Sequence, residues 1–151
     1  MSDRLEDQRD DEEDVTELKF TKEFQNERTL LHAEVARLLE DRKRQNDAAE
    51  DTGEGNEVEL GDVFLKTLSY CQRFGRYKSP EAVKAIREIF KNKNFHNYEI
   101  AQLCNLCPET CEEAISLIPS LDTRFDDEEL QEILDDILSK RDSYSSKSLN
   151  S

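Results

Sequence analysis

The chain has 151 residues, with 36 acidic and 21 basic side chains and a net charge of −15. It is sized for one domain and is too acidic to coat nucleic acid along its whole length. Charged residues make up 38% and hydrophobic ones 35%, so a good part of it must lie outside any core. A folded part of about 80 residues sits near the small end of what can bury enough apolar surface to be stable. No apolar run is long enough for a membrane span, and the first residues lack the apolar region of a secretory signal, so the chain is not expected to be secreted. Four cysteines in such a chain are expected as reduced thiols. No basic cluster reads as a nuclear import signal.

Taken in order, residues 1–17 are mostly acidic (Glu6, Asp7, Asp10 to Asp14, Glu17) and are expected to form a disordered arm. In 18–44, Leu18-Lys19-Phe20-Thr21 alternates as a strand would, although no second strand is evident. A lone strand either stays coil, pinned by Phe20, or pairs with another protein's sheet edge. Thr29 to about Lys43 reads as a helix whose stripe is Leu31, Val35, Leu38 and Leu39, widened by Leu30. That stripe can fold back on the chain's own core or lie in a partner's groove. Residues 45–57 are polar, with Gly53 and Gly55, and read as a flexible linker that detaches this helix from the second half of the chain.

The apolar density rises over 58–141, which reads as a helical bundle; the overall class is all-α. Leu60, Val63, Phe64, Thr67, Leu68, Cys71 and Phe74 recur at helical spacing. Ser79-Pro80 caps and opens the next helix, with Val83, Ile86, Ile89 and Phe90 inward. Asn97 is expected to cap a helix opening at Tyr98, Pro108 to open one near Cys107, and Pro119 to stop it. Asp126 with Glu129 forms a capping box for a last helix whose stripe is Leu130, Ile133, Leu134, Ile137 and Leu138. The count is one helix before the linker and about five after it. The serine-rich residues 142–151 read as a disordered tail.

Few constellations invite chemistry. Cys104, Cys107 and Cys111 give C-x2-C-x3-C with His96 upstream, but the ligand set is incomplete and the thiols read as small packing groups. His32 and His96 sit in no recognisable nucleophile context, the carboxylates follow surface periodicity, and none of the four glycines builds a phosphate loop. Neither a cofactor nor a small-molecule substrate is implied. The chain's main charge feature is 66–93, where Lys66, Arg73, Arg76, Lys78, Lys84, Arg87, Lys91 and Lys93 stand against Glu81 and Glu88. Tyr70, Phe74, Tyr77 and Phe90 are interleaved, a mixture that can hold single-stranded nucleic acid. The competing reading, favoured by the net charge, is that this face complements the chain's own carboxylates while Phe74 and Phe90 are core.

Three stretches carry a resemblance: Leu103-Cys104-Asn105-Leu106-Cys107-Pro108-Glu109-Thr110, Leu117-Ile118-Pro119-Ser120-Leu121, and Phe125 to Ile137. In order and spacing they resemble the fourth-subunit family of eukaryotic RNA polymerase II. The likeness extends upstream through Phe64 to Tyr70 and more loosely to Leu18. It implies a bundle similar to the helicase-and-RNase-D C-terminal domain, no catalysis and no metal at the cysteines. It further implies a heterodimer with the polymerase's seventh subunit, forming a stalk on the polymerase core near the RNA exit path. That stalk acts in initiation and in handling nascent RNA, in the nucleus. On this resemblance, Leu18 and Phe20 would pair with the partner's sheet, and Leu30, Leu31, Val35, Leu38 and Leu39 would lie in its groove. Lys66, Arg73, Arg76 and Lys78 remain the candidate nucleic-acid face. The 45–57 linker is shorter than in some family members, so no role of a longer insertion carries over.

Overall fold

The computed structural model describes residues 12–52 and 59–149. Among these are six α-helices and no strand: α1 His32–Thr52, α2 Asp62–Phe74, α3 Pro80–Ile89, α4 Asn97–Leu106, α5 Cys111–Leu117 and α6 Asp127–Leu149. Short 3-10 turns lie at Val15–Glu17 and Pro119–Leu121. The all-α bundle expected from periodicity is what forms. α1 packs along α2, α3 along α6, and α5 against α6 and the Pro119–Leu121 turn.

Local chemistry sets most boundaries. The Ser79 hydroxyl accepts from the Ala82 N–H (3.1 Å) with Pro80 in the first turn, as expected for α3. The Asp126 carboxylate accepts from the Glu129 N–H (2.8 Å) at the start of α6. Two expected starts shift. The cap of α4 is His96, not Asn97: its Nδ1 accepts from the Tyr98 N–H (3.0 Å), and the Glu99 carboxylate accepts from the His96 N–H (2.9 Å). Pro108 does not open a helix. It disfavours helical backbone in the residue before it, and Cys107 turns left-handed (φ 49°) to end α4. α5 opens at Thr110, whose hydroxyl accepts from the Glu113 N–H (3.1 Å).

The core lies among α3 to α6. Ile86, Leu103, Leu121, Leu130 and Leu134 are fully buried, joined by Tyr77, Phe90 and Phe95. The expected inward sets of α3 and α6 hold, with Val83 and Leu138 at the margin. Glu99 is fully buried as well, accepting from Ser120 Oγ (2.7 Å) and from Arg124, whose guanidinium also reaches the Asn94 carbonyl. This charged group ties the start of α4 to the Pro119–Leu121 turn, its acceptor atoms matched by donors as burial requires.

Two expectations about the ends of elements fail over the described residues, and a third reaches into residues 1–11, which lie outside them. α1 runs on to Thr52, so the linker expected over 45–57 is helical across 45–52; residues 53–58 lie outside the described residues. The segment Gln45 to Thr52 has no glycine or proline to break a helix, and Lys43 pairs with Asp47 one turn on (3.1 Å). α6 likewise continues to Leu149 through most of the tail expected to be disordered, again without a breaker. In the acidic arm expected over 1–17, residues 12–17 are described. There Asp14 takes the Thr16 N–H (3.0 Å) and hydroxyl (2.6 Å) and caps the Val15–Glu17 turn.

Candidate functional site

The expected strand at 18–20 is absent. Leu18 is left-handed (φ 57°), and Asp14 and Lys19 close an isolated bridge around the turn. The Gln25 side chain occupies the neighbouring backbone groups: its Oε1 accepts from the Phe20 N–H (2.8 Å) and its Nε2 donates to the Leu18 carbonyl (2.9 Å). Phe20 stacks on His96 (5.1 Å between centroids) and tilts against Tyr98 (5.4 Å).

Residues 25–29 are laid on α4 by specific bonds. His96 Nε2 meets the Gln25 carbonyl (2.9 Å), Asn97 Nδ2 donates to the Glu27 carbonyl (3.0 Å), and Thr29 Oγ1 donates to the Asn97 carbonyl (2.8 Å). With Nδ1 accepting from the Tyr98 N–H, Nε2 is the ring nitrogen placed to donate to the Gln25 carbonyl. His96 thus joins an N-cap to a chain clamp. Its spacing to Glu99 was visible in the sequence, but the adjacent Asn97 is the stronger cap by residue type.

α1 is therefore anchored, not detached. Leu31 precedes the helix and is fully buried in the bundle core. This corrects its place in the partner-facing stripe: as the last non-helical residue it turns inward instead of following the helical period. Glu34 pairs with Arg87 of α3 (2.5 Å), and Arg87 also donates to the Thr29 carbonyl (2.8 Å). Burial alone would raise the Glu34 carboxyl, but the bonds from Arg87 and the Leu31 N–H hold it below the ordinary value. Gly75 lets the end of α2 approach α1; a Cβ there would lie 2.7 Å from the Cys71 carbonyl oxygen and 3.3 Å from the Ala33 Cα.

The remaining stripe residues do face outward. Leu38 is 56% exposed and Leu30 42%, with Val35 and Leu39 half-buried beside them. α2 adds a second outward row that periodicity had merged with its core face. Leu68 and Cys71 point in, while Val63 (80% exposed), Tyr70 (54%) and Phe74 (38%) point out at i, i+7, i+11. An edge-on contact of His32 with Tyr70 (5.6 Å) joins the start of α1 to the outward row of α2, and Tyr70 leans on Phe74 (4.6 Å). Among the described residues, α1 and α2 thus each keep apolar side chains in water, the kind of surface that marks an interaction site.

The basic stretch divides. Lys66, Arg73, Arg76 and Lys78 are exposed, with Arg73 over the Phe74 ring (5.3 Å) and Lys78 reaching back to the Gly75 carbonyl (3.5 Å). Arg87 is taken by Glu34, Lys93 by the Ile89 carbonyl, and Lys91 lies 3.9 Å from Glu88. Of the interleaved aromatics only Tyr70 and Phe74 are accessible, because Tyr77 and Phe90 are core. Phe74 was expected there too and is not.

The cysteines are packing groups. All four are buried free thiols, and no group of potential metal ligands occurs among the described residues. Burial pushes the Cys104 and Cys71 thiols up, leaving them poor nucleophiles. The Tyr77 hydroxyl donates to the Cys104 carbonyl (2.8 Å) beside Cys107 Sγ (3.4 Å), and burial raises its phenol well above the ordinary value.

Compared with known proteins, the chain matches the family model described as RNA polymerase Rpb4 over residues 29–140. It is similar to the DNA-directed RNA polymerase II subunit rpb4 of Dictyostelium discoideum, with 40% identity over 141 residues covering 87% of this chain and 90% of that one. The subunit rpb4 of Schizosaccharomyces pombe is 43% identical over 130 residues (86% and 93%). Subunit 4 of the Arabidopsis thaliana enzyme is 38% identical over 131 residues (85% and 93%).

Proposed function

This chain belongs to the RNA polymerase Rpb4 family, and on that premise we propose that it is the fourth subunit of a nuclear DNA-directed RNA polymerase II. It is not itself catalytic; it works by docking. Its partner is the seventh subunit of the same polymerase, and the pair forms the stalk on the polymerase core, acting in initiation and in handling nascent RNA. The observation that supports this reading is the outward apolar surface of α1 and α2. Leu30, Val35, Leu38 and Leu39 lie in the partner's groove, and Tyr70 and Phe74 extend the contact. Pairing of Leu18 and Phe20 with the partner's sheet asks the Gln25 amide to give up its two backbone bonds, a one-for-one exchange with strand bonds.

The test is a double substitution, Val35→Asp with Leu38→Asp, which puts two unpaired carboxylates into the proposed interface. Affinity for the seventh subunit, read by light scattering on a sizing column and by calorimetry, falls by at least about a hundredfold. Unchanged affinity sinks the reading.

A second reading has one specific observation in its favour: Arg73 and Phe74 form an accessible cation–aromatic pair beside Tyr70, next to Lys66. In it the chain alone binds single-stranded RNA through Lys66, Arg73, Arg76 and Lys78. That binding weakens steeply with salt and is reduced by charge reversal at Arg73 and Arg76.

A further inference from the structure

A groove of about 500 Å³ runs between α1 and α3. Its floor is aliphatic, from Ala33, Leu38, Pro80 and Val83, and no aromatic ring lines it. Around it stand Arg28, Arg37 and Lys84, none of them in an ion pair among the described residues. Arg87 at the back is neutralised by Glu34, and Glu88 is the remaining carboxylate on the lining. Uncommitted cations around an apolar trough are conspicuous in a chain of net charge −15, which has carboxylates to spare. Arg28 acts on Glu34 from a distance, while Arg37 and Lys84 have no carboxylate within pairing distance among the described residues.

We propose that the α1–α3 groove docks an acidic segment of a partner protein, one that sets aliphatic anchors between carboxylates. The anchors fill the floor and the carboxylates pair with Arg28, Arg37 and Lys84, the arrangement by which grooves read charged amphipathic peptides. Single-stranded RNA fits less well, because the groove offers cations without an aromatic platform for the bases. The site adjoins the surface of the seventh-subunit reading without coinciding with it: Leu30 and Leu38 belong to both, Val35 and Leu39 lie outside the groove, and Arg37, Lys84, Pro80 and Val83 lie outside the surface that reading uses.

The experiment uses the full chain, free and in complex with the seventh subunit. The probe is a short fluorescein-labelled peptide of Leu-Glu-Glu repeats, followed by anisotropy and by amide shifts in NMR spectra. The expected result is saturable binding by the free chain, weakened by salt, with shifts clustered at Leu30, Val83 and Lys84, and weaker binding by the complex, where Leu30 and Leu38 are shared with the partner. Arg37→Glu with Lys84→Glu, both outside the core, weakens it by about tenfold or more. The same peptide with lysine for glutamate does not bind. Shifts clustered elsewhere, or affinity indifferent to the double reversal, overturn the proposal. Undiminished binding by the complex would support the groove and place Leu30 and Leu38 outside the stalk contact. Tighter binding of a labelled RNA at the same shifts would hand the groove to nucleic acid. A tenfold gain on deleting residues 1–11 would show that the chain's own acidic arm is the occupant, and would also overturn it.

Discussion

The bundle of α3 to α6 and the α1–α2 pair are built from similar helices and dispose of their apolar surface in opposite ways. In the bundle, Leu103, Leu121, Leu130 and Leu134 are fully buried, and even a carboxylate, Glu99, is enclosed and hydrogen-bonded. In the pair, Leu38, Val63 and Tyr70 each keep more than half of their surface in water. The bundle buries most of its apolar surface, and Leu31 from ahead of α1 completes its core. The pair is held to it by Leu31, by the Glu34–Arg87 bridge and by the bonds to α4, and offers its remaining apolar face to something outside. Stability and recognition are thereby assigned to different parts of one small chain, and substitutions should separate them.

The largest effect is expected at Glu99. Glu99→Gln leaves the half-buried Arg124 guanidinium without its counter-charge and weakens the bonds that join α4 to the Pro119–Leu121 turn. Breaking such a pair costs on the order of 3 kcal/mol. Urea unfolding is the measurement, and a loss below about 1 kcal/mol would mean that the enclosed charge is not a structural tie of the bundle.

Gly75→Ala comes next. The methyl group meets the Cys71 carbonyl oxygen and the α1 backbone at Ala33, so the two helices must part, at a cost of about 1–2 kcal/mol. The loss should be regional. Hydrogen exchange should quicken in α1 and α2 and stay unchanged in α4 to α6; uniform quickening would mean that the pair and the bundle unfold as one unit.

Between these regions runs the Glu34–Arg87 bridge, and its contribution has a sign in pH. The folded Glu34 carboxyl titrates below its ordinary value of 4.5, so its stabilisation is present above about pH 4.5 and is lost as pH falls through the folded value. Glu34→Gln should therefore cost roughly 1 kcal/mol at pH 7, a figure moderated by the partial exposure of both partners. The deficit relative to the unaltered chain should shrink on acidification. A deficit that grows as pH falls would reverse the assignment.

Much of this division was legible in the sequence, for physical reasons that differ by element. The α6 stripe and the Ser79-Pro80 start were clear because a strict 3.6-residue period and a local cap need no knowledge of what they pack against. Leu31 was misplaced because periodicity cannot tell that the helix begins one residue later. The helical stretches Gln45 to Thr52 and Asp142 to Leu149 were missed because polar residues without glycine or proline give no stripe and no breaker. Val63 and Phe74 were counted with the α2 core. A stripe too wide for one face was the available signal that two faces are apolar. The groove between α1 and α3 was invisible, since it depends on which helices meet. So was the clamp at His96, whose carbonyl partner lies 71 positions away.

The smallest expected effect tests the α1–α2 surface most directly. Val63 is 80% exposed and sits on the outer row of α2. Val63→Ser removes apolar area that folding had not buried, so stability of the free chain should stay within about 0.5 kcal/mol, against about 3 kcal/mol for Leu134→Ala in the core. Both substitutions remove aliphatic bulk, and the surroundings account for most of the difference in cost. Tyr70→Ser should behave like Val63→Ser, apart from the small ring contacts with His32 and Phe74. Both should reduce binding to the seventh subunit while leaving the urea midpoint where it was. A clear loss of stability at Val63 would mean that the chain covers this row itself and that α2 belongs with the bundle. Intact stability with weakened association would mean that the apolar face of α2 is there for a partner.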